Sequence, residues 1–244
     1  MRLDSFLVEK GYYNSRSQAN NAVKNGKIKV NGRIITKSGF EVKENDVIDA
    51  VLEVNKYVSF GGYKLQKAYE TFKFDLKDKT VLDIGASTGG FTDYCLQNGA
   101  SKVYAYDVGH DQLDQKIRND ERVVVKEGVN CRYLNKNDFE ENIDFICMDV
   151  SFISCTKLLE NISQILNDDG EAVILFKPQF EVGNEYLNRQ GIVINDKIVM
   201  KKMDETIALA NDLNLICLGK TESVTKEPGG NQEYLLYFKK NHQL

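Results

Sequence analysis

Several things are scarce in this 244-residue chain, and each scarcity closes off a class of protein. No apolar run approaches the ~20 residues needed to cross a bilayer as a helix. Met1-Arg2-Leu3-Asp4 opens a polar amphipathic segment and not a signal peptide, so a cytoplasmic protein without a membrane partner is expected. The five cysteines (Cys95, Cys131, Cys147, Cys155, Cys217) include no CxxC pair. An odd count in apolar surroundings reads as reduced core thiols. The two histidines, His110 and His242, are not near cysteine pairs, so no metal is expected. With only two prolines, Pro178 and Pro228 are each expected to hold a specific loop.

What is present is ordinary for a globular chain: 42% hydrophobic and 28% charged residues, and length for one large domain plus a small one. The charge is uneven. Residues 1–37 carry eight Lys/Arg and two acids, a net of +6, against −10 over the remainder and −4 overall. A basic module joined to an acidic one points to a polyanion as the first module's partner, weighed against a merely solvated charged face.

The stretch around which the rest is organised is Asp83-Ile84-Gly85-Ala86-Ser87-Thr88-Gly89-Gly90-Phe91-Thr92. An apolar run from Thr80 to Ile84 leads in as a buried parallel strand, and Phe91 to Gln97 follows as a helix stopped by Asn98-Gly99. Strand, glycine turn and helix hold nucleotide-like cofactors at the carboxyl end of a strand. The spacing is Gly-x-Ser-x-Gly-Gly rather than the dinucleotide Gly-x-Gly-x-x-Gly, which opposes a dinucleotide oxidoreductase. Asp83 at the strand end would repel a pyrophosphate and suit a cation; S-adenosylmethionine is one.

In chain order, residues 1–12 and Arg16 to Lys24 read as two short helices, the second preceded by Ser15. Lys27 to Ile35 alternates around Asn31-Gly32, the strongest short hairpin signal, and Val47 to Val51 reads as a further strand. Residues 53–63 read as a connector, and a helix is expected from Leu65 to Phe72. Strands are then expected at Lys102–Asp107, Arg122–Lys126, Ile143–Met148, Ala172–Phe176, Leu215–Gly219 and Tyr234–Phe238, with helices at Thr156–Leu166 and Asp196–Leu213. That order predicts a doubly wound, mostly parallel sheet. Asp83, Asp107, Asp149 and Lys177 all fall at strand ends, where such sheets line a ligand crevice, and Asp107 stands where a ribose-binding carboxylate belongs.

Two resemblances attach to these residues. Arg2-Leu3-Asp4-x-x-Leu7, Ser15-Arg16-x-x-Ala19 and Gly26-x-Ile28-x-Val30-Asn31-Gly32 resemble the small RNA-binding domain named after ribosomal protein S four. This implies that Arg2, Arg16, Lys24, Lys27 and Lys29 meet RNA phosphates, contacts that position a protein without reading sequence. The whole chain resembles the TlyA family of bacterial ribosomal RNA 2′-O-methyltransferases, once described as haemolysins. The carrying stretches are Tyr57-Val58-Ser59-x-Gly61-Gly62-x-Lys64-Leu65, the glycine loop, Asp149-Val150-Ser151-Phe152-Ile153-Ser154, Lys177-Pro178-Gln179-Phe180-Glu181 and Gly230-Asn231-x-Glu233. The resemblance implies an α/β fold: a Rossmann-like, FtsJ-type S-adenosylmethionine-dependent methyltransferase domain over 64–244, a linker over 55–63, and a small α+β RNA-binding domain over 1–54. It also implies a catalytic tetrad of Lys64, Asp149, Lys177 and Glu233. The cofactor is expected on Asp83, the loop from Gly85 to Thr92, Asp107, Val108, Asn130 and Asp149. Ribosomal RNA or a ribosomal subunit is the expected partner, a cytidine ribose the expected target, and a monomer the expected state. Phe60 stands where the family commonly has Arg; Asn184 and Gln190 stand where it often has Arg and Gly.

Methyl transfer to a ribose hydroxyl needs such a set, because the hydroxyl is a poor nucleophile until it loses its proton. A lysine serves as base when desolvation and neighbouring positive charge favour its neutral form. Lys177 is the candidate base, Lys64 the neighbouring charge, and Asp149 and Glu233 the groups that orient the lysines. The competing readings are a pore-forming haemolysin, opposed by the missing spanning segment and the lack of a long amphipathic basic helix, and a noncatalytic RNA-binding assembly factor, opposed by the intact tetrad.

Overall fold

Leu3 and Leu7 on one short amphipathic segment and Ala19, Ala22 and Val23 on the next bring two helices together at the amino-terminal end. The computed structural model describes residues 1–13, 15–43, 45–50, 56–224 and 229–241. These form two units, Met1–Asn55 and Lys56–Leu244. The expected boundary at residue 54 lies outside the described residues, as do Val51 of the expected third strand, Pro228 and His242.

In the first unit α1 (Leu3–Glu9) packs on α2 (Arg16–Lys24), whose Ser15 Oγ accepts from the Gln18 amide at 3.3 Å. This is an N-cap, satisfying a donor that the helix itself leaves orphaned. β1 (Ile28–Val30), β2 (Arg33–Ile34) and β3 (Ile48–Ala50) form an antiparallel sheet in the order β2-β1-β3. The hairpin turns on Asn31 and Gly32, with φ of 52° and 76°. Two successive left-handed residues are what a tight two-residue hairpin requires, which is why Asn-Gly signalled it. Ile28 and Val30 face the core and Lys29 points out.

The second unit runs α3 (Gly61–Phe72), β4 (Thr80–Ile84), α4 (Gly90–Gln97), β5 (Lys102–Tyr106), α5 (Gln115–Arg118), β6 (Val123–Lys126), β7 (Ile143–Met148), α6 (Leu159–Ile165), β8 (Leu166–Phe176), α7 (Pro178–Glu181), α8 (Asp196–Asp212), β9 (Leu215–Glu222) and β10 (Tyr234–Lys240). The sheet order is β6-β5-β4-β7-β8-β10-β9, with β4 to β8 parallel and β10 antiparallel to both its neighbours. Both faces are covered, so successive strand residues enter different clusters: Leu82, Ile146 and Met148 one, Val81, Phe145 and Cys147 the other. That explains the continuous apolar runs in the sequence.

The largest departures from the expected boundaries are at α3 and at the junction of α6 with β8. α3 begins at Gly61, not Leu65, and Tyr57 is buried in the same core, so the segment read as a connector is folded from Lys56 onward. Gly62 is tolerated in that first turn because a Cβ there would stand 2.2 Å from the Tyr57 ring. α6 ends at Ile165, and β8 starts at Leu166 through Asn167-Asp168-Asp169-Gly170, which had read as a helix stop and loop. Asp169 has φ 62° there, and the β7–β8 register shifts between Ile143 and Phe145.

Candidate active site

The strand order reverses at β4: β5 and β6 lie on one side, β7 and β8 on the other. The crevice at the carboxyl ends of β4, β5 and β7 is where open α/β sheets bind ligands. It holds two adjoining cavities, of about 650 and about 200 Å³. Gly85, Ser87, Asp107, Val108, Asn130 and Asp149 line the larger. Ala86, Gly90, Phe91 and Lys177 line the smaller, together with Gly85, Ser87, Asp149 and Ser151, which belong to both.

Gly85 makes the closest approach. Its φ is 83°, and a Cβ would stand 2.4 Å from the Asp149 carbonyl oxygen, a backbone atom that cannot move aside. Gly90 is equally constrained, since its Cβ would meet Ser59 Oγ at 2.2 Å and the Gly62 amide nitrogen at 2.8 Å. The turn before α3 thus sits directly on the glycine loop.

Asp107 accepts from the Ser87 amide at 2.8 Å and the Gly109 amide at 2.6 Å, which fixes its carboxylate at the cavity wall. Asn130 accepts from the Arg132 amide at 3.1 Å. Asp83 is placed differently from expectation. It lines neither cavity and is fully buried beneath the loop, where its Oδ2 accepts from Thr92 Oγ1 at 2.6 Å. Its Oδ1 has no partner among the described residues. Burial, reinforced by the negative charges of Asp149 and Asp107 and opposed by the Thr92 hydrogen bond, pushes this carboxyl up to about 7. Thr88, Gly89 and Thr92 likewise line neither cavity. They support the loop: the Thr88 carbonyl accepts from the Asp114 amide at 3.1 Å, and Gly89, φ 96°, packs against Leu113 and Ile117.

The four tetrad residues, 169 positions apart at the extremes, form one chain of ion pairs. Glu233 meets Lys64 at 2.6 Å, Lys64 meets Asp149 at 3.6 Å, and Asp149 meets Lys177 at 2.5 Å. Lys177 also donates to Ser151 Oγ at 2.9 Å. All four side chains are under a quarter exposed, and that of Lys177 only 9%. Lys64 extends from the first turns of α3, Asp149 and Lys177 follow β7 and β8, and Glu233 precedes β10. Pro178 fills the first position of α7, where its missing N–H costs nothing.

In the first unit, Lys24 and Lys29 are exposed and Lys27 half-buried. Arg2 and Arg16 are also half or more exposed, but both hold the buried Asp4, at 3.0 and 3.1 Å. Three residues escaped the sequence reading. Asp4 and Ser151 each stood in a quoted stretch without a role. Phe152 is 92% exposed with φ 65° and its ring 5.4 Å from that of Phe180, at the wall of the larger cavity. Only backbone strain and exposure reveal it, and neither is visible in a sequence.

Residues 57–240 match the FtsJ-like methyltransferase family and residues 1–48 the S4 domain. The chain is 43% identical to "Hemolysin A" of Brachyspira hyodysenteriae, over 98% of this chain and 99% of that protein. It is 35% identical to the "16S/23S rRNA (cytidine-2'-O)-methyltransferase TlyA" of Mycobacterium tuberculosis strain H37Rv, over 98% and 89% of the two chains. A solved structure of a hemolysin-designated protein from Streptococcus thermophilus superposes with a TM-score of 0.78 at 39% identity, covering 100% of this chain and 89% of that one. The chain therefore belongs to the TlyA family, in which an S4 domain precedes an FtsJ-like methyltransferase domain.

Proposed function

We propose that this protein transfers a methyl group from S-adenosylmethionine to a ribose 2′-hydroxyl of ribosomal RNA, on a cytidine as in the relative's name, with Lys177 as general base. It acts on this reading as a monomer in the cytoplasm, with residues 1–54 holding the RNA through Arg2, Arg16, Lys24, Lys27 and Lys29. The observation that carries the proposal is the unbroken ion-pair chain Glu233–Lys64–Asp149–Lys177, in which Asp149 lines both cavities and Lys177 the smaller, while Lys64 and Glu233 stand behind them and line neither.

The residues present suit the cofactor. The larger cavity is walled by two carboxylates, Asp107 and Asp149, and floored by a glycine at which any Cβ would clash. Asp107 suits ribose hydroxyls, Val108 and Asn130 the wall beside them, and the backbone of residues 85–87 the close approach. An acidic crevice favours a ligand bearing an ammonium and a sulfonium. When bound, the cofactor supplies an electrophilic methyl on a positively charged sulfur.

The chain's own groups do the rest. Lys64, held between the Asp149 and Glu233 carboxylates, can orient the hydroxyl. Lys177, in its neutral form, takes the hydroxyl proton as the oxygen–carbon bond forms, and Asp149 and Ser151 hold its amine in place. General-base assistance of this kind contributes about 10²–10⁴-fold, and positioning of the two reactants adds to it.

The test is single-turnover transfer of tritiated methyl groups to purified ribosomal subunits. Lys177→Ala is expected to lose at least about 100-fold while still binding cofactor and RNA. Lys177→Arg should fail as well, because a guanidinium does not deprotonate. Near-normal turnover by the arginine variant would show that residue 177 supplies charge alone.

A further inference from the structure

The segment between α7 and α8 is not shapeless. A turn of 3₁₀ helix at Asn184–Tyr186 leads into a small hairpin in which Leu187 and Val193 bridge antiparallel. The Asn188 amide donates to the Ile192 carbonyl at 2.9 Å, and Asn188 Oδ1 accepts from the Gln190 and Ile192 amides, each at 2.9 Å. Gly191 closes the turn with φ 75°. The tip, Asn188-Arg189-Gln190, is exposed, and Arg189 has no ion pair among the described residues.

Both ends of this arm are tied to the tetrad. It leaves α7, which begins directly after Lys177 and whose Glu181 accepts from Ser154 Oγ and the Cys155 amide at 2.6 and 2.7 Å. On the other side stands Asn231, two residues before Glu233. Its Oδ1 accepts from the Val193 amide at 2.8 Å and its Nδ2 donates to the Gly191 carbonyl at 2.9 Å. One side-chain amide thus replaces a neighbouring strand for the arm's return limb, satisfying a backbone donor and acceptor at once.

We infer that Asn231 is a positioning residue that docks the 184–194 arm beside the tetrad so that Arg189 engages a phosphate of the substrate RNA. The inference rests on the RNA methyltransferase reading above. Arginine suits the role: its planar fork gives two parallel bonds to a phosphate. A lone arginine on an unanchored loop would lose much of that interaction to ordering entropy, and the Asn231 clamp supplies the order in advance.

The experiment compares Asn231→Ala, Arg189→Ala and the double variant in steady-state methylation and equilibrium binding of ribosomal subunits across a salt series. Each single variant should raise KM for subunits about tenfold, the loss expected for one charge-assisted hydrogen bond, with kcat and cofactor affinity within about twofold of wild type. Each should lower the salt slope of binding by about one. The double variant should be no worse than either single one, since Arg189 acts only through the docked arm. Amide exchange at Val193 should accelerate in Asn231→Ala and stay unchanged in Arg189→Ala. Additive losses, an unchanged KM, or a fall in kcat alone would overturn the inference. Absence of methyl transfer by the wild-type protein would instead strike the underlying reading, and subunit binding would still report on Arg189.

Discussion

Asp4 in the first unit and Asp83 in the second are both fully buried, yet they are held in opposite ways. Asp4 receives bonds from Arg2 at 3.0 and 3.1 Å, from Arg16 at 3.1 Å and from the Ser5 amide at 2.9 Å. The Arg2 hydrogen bonds, aided by Arg16 and Ser5, hold its carboxyl well below the usual carboxylate range, against the opposing effect of burial. Among the described residues Asp83 has one hydroxyl donor, no ion pair and an unpartnered oxygen, and burial pushes it up to about 7. Burial alone therefore does not decide the state of a carboxyl; its partners do. The first unit keeps a fixed anion that organises two of its arginines. The second keeps a carboxyl poised between charged and neutral under its glycine loop.

The largest expected effect comes from making Asp4 resemble Asp83. In Arg2→Ala/Arg16→Ala the carboxylate stays buried with no cation, and breaking a buried pair in this way is strongly destabilising. Amide exchange should show loss of protection across α1 and α2, with RNA binding lost, while the thermal transition of the second unit and its cofactor affinity stay unchanged. Adding Asp4→Asn to the double variant should restore much of the protection. Full protection in the double variant would mean that the arginines belong to RNA alone.

This contrast also marks how far the sequence could be read. The doubly wound sheet was legible because strands buried on both faces are mostly apolar and are followed by polar residues such as Asp107 and Asp149. The tetrad was legible only through the resemblance, since nothing local says that Lys64 and Glu233 meet across the sheet. The start of α3 was hidden because two glycines look like a loop, and only the packing against Tyr57 explains the second of them, Gly62. The roles of Asp4 and Asp83 were hidden because neither burial nor pairing is written locally: Asp4 joins Arg2, two residues away, to Arg16, 12 residues away, and the Thr92 hydroxyl that meets Asp83 lies 9 residues on.

The second prediction sharpens the comparison through pH. Asp83 has a raised folded value, so between its ordinary range near 4 and about 7 the folded state holds a proton that the unfolded state has released. Its stabilising contribution is complete below about 4 and is lost as pH rises to about 7, by at most about 1.4 kcal/mol per pH unit. Asp4, with a lowered folded value, gives the reverse slope: its contribution is present above about 4 and is lost as pH falls. Urea unfolding of the second unit in Asp83→Asn should show a flatter pH dependence between 4 and 7 than wild type. An unchanged slope there would assign the titration to another group.

The smallest effect concerns the hydrogen bond from the Thr92 hydroxyl to Asp83. Thr92→Val keeps the shape of the side chain and removes the hydroxyl that donates to Oδ2. That hydroxyl favours the charged carboxyl and partly offsets the effect of burial. Its loss therefore costs little when the carboxyl is already neutral and more when it is charged. At pH 6 a destabilisation of about 0.5–1 kcal/mol is expected, and at pH 8 about 1–3 kcal/mol, the cost of leaving a buried acceptor unmet. Because Thr92 lies in the first turn of α4, cofactor affinity should fall alongside stability at the higher pH. Thr92→Ser, which keeps the donor, should behave like wild type at both. Equal costs for Thr92→Val at pH 6 and pH 8 would show that Asp83 does not change charge in that interval, and the contrast with Asp4 would then be one of degree only.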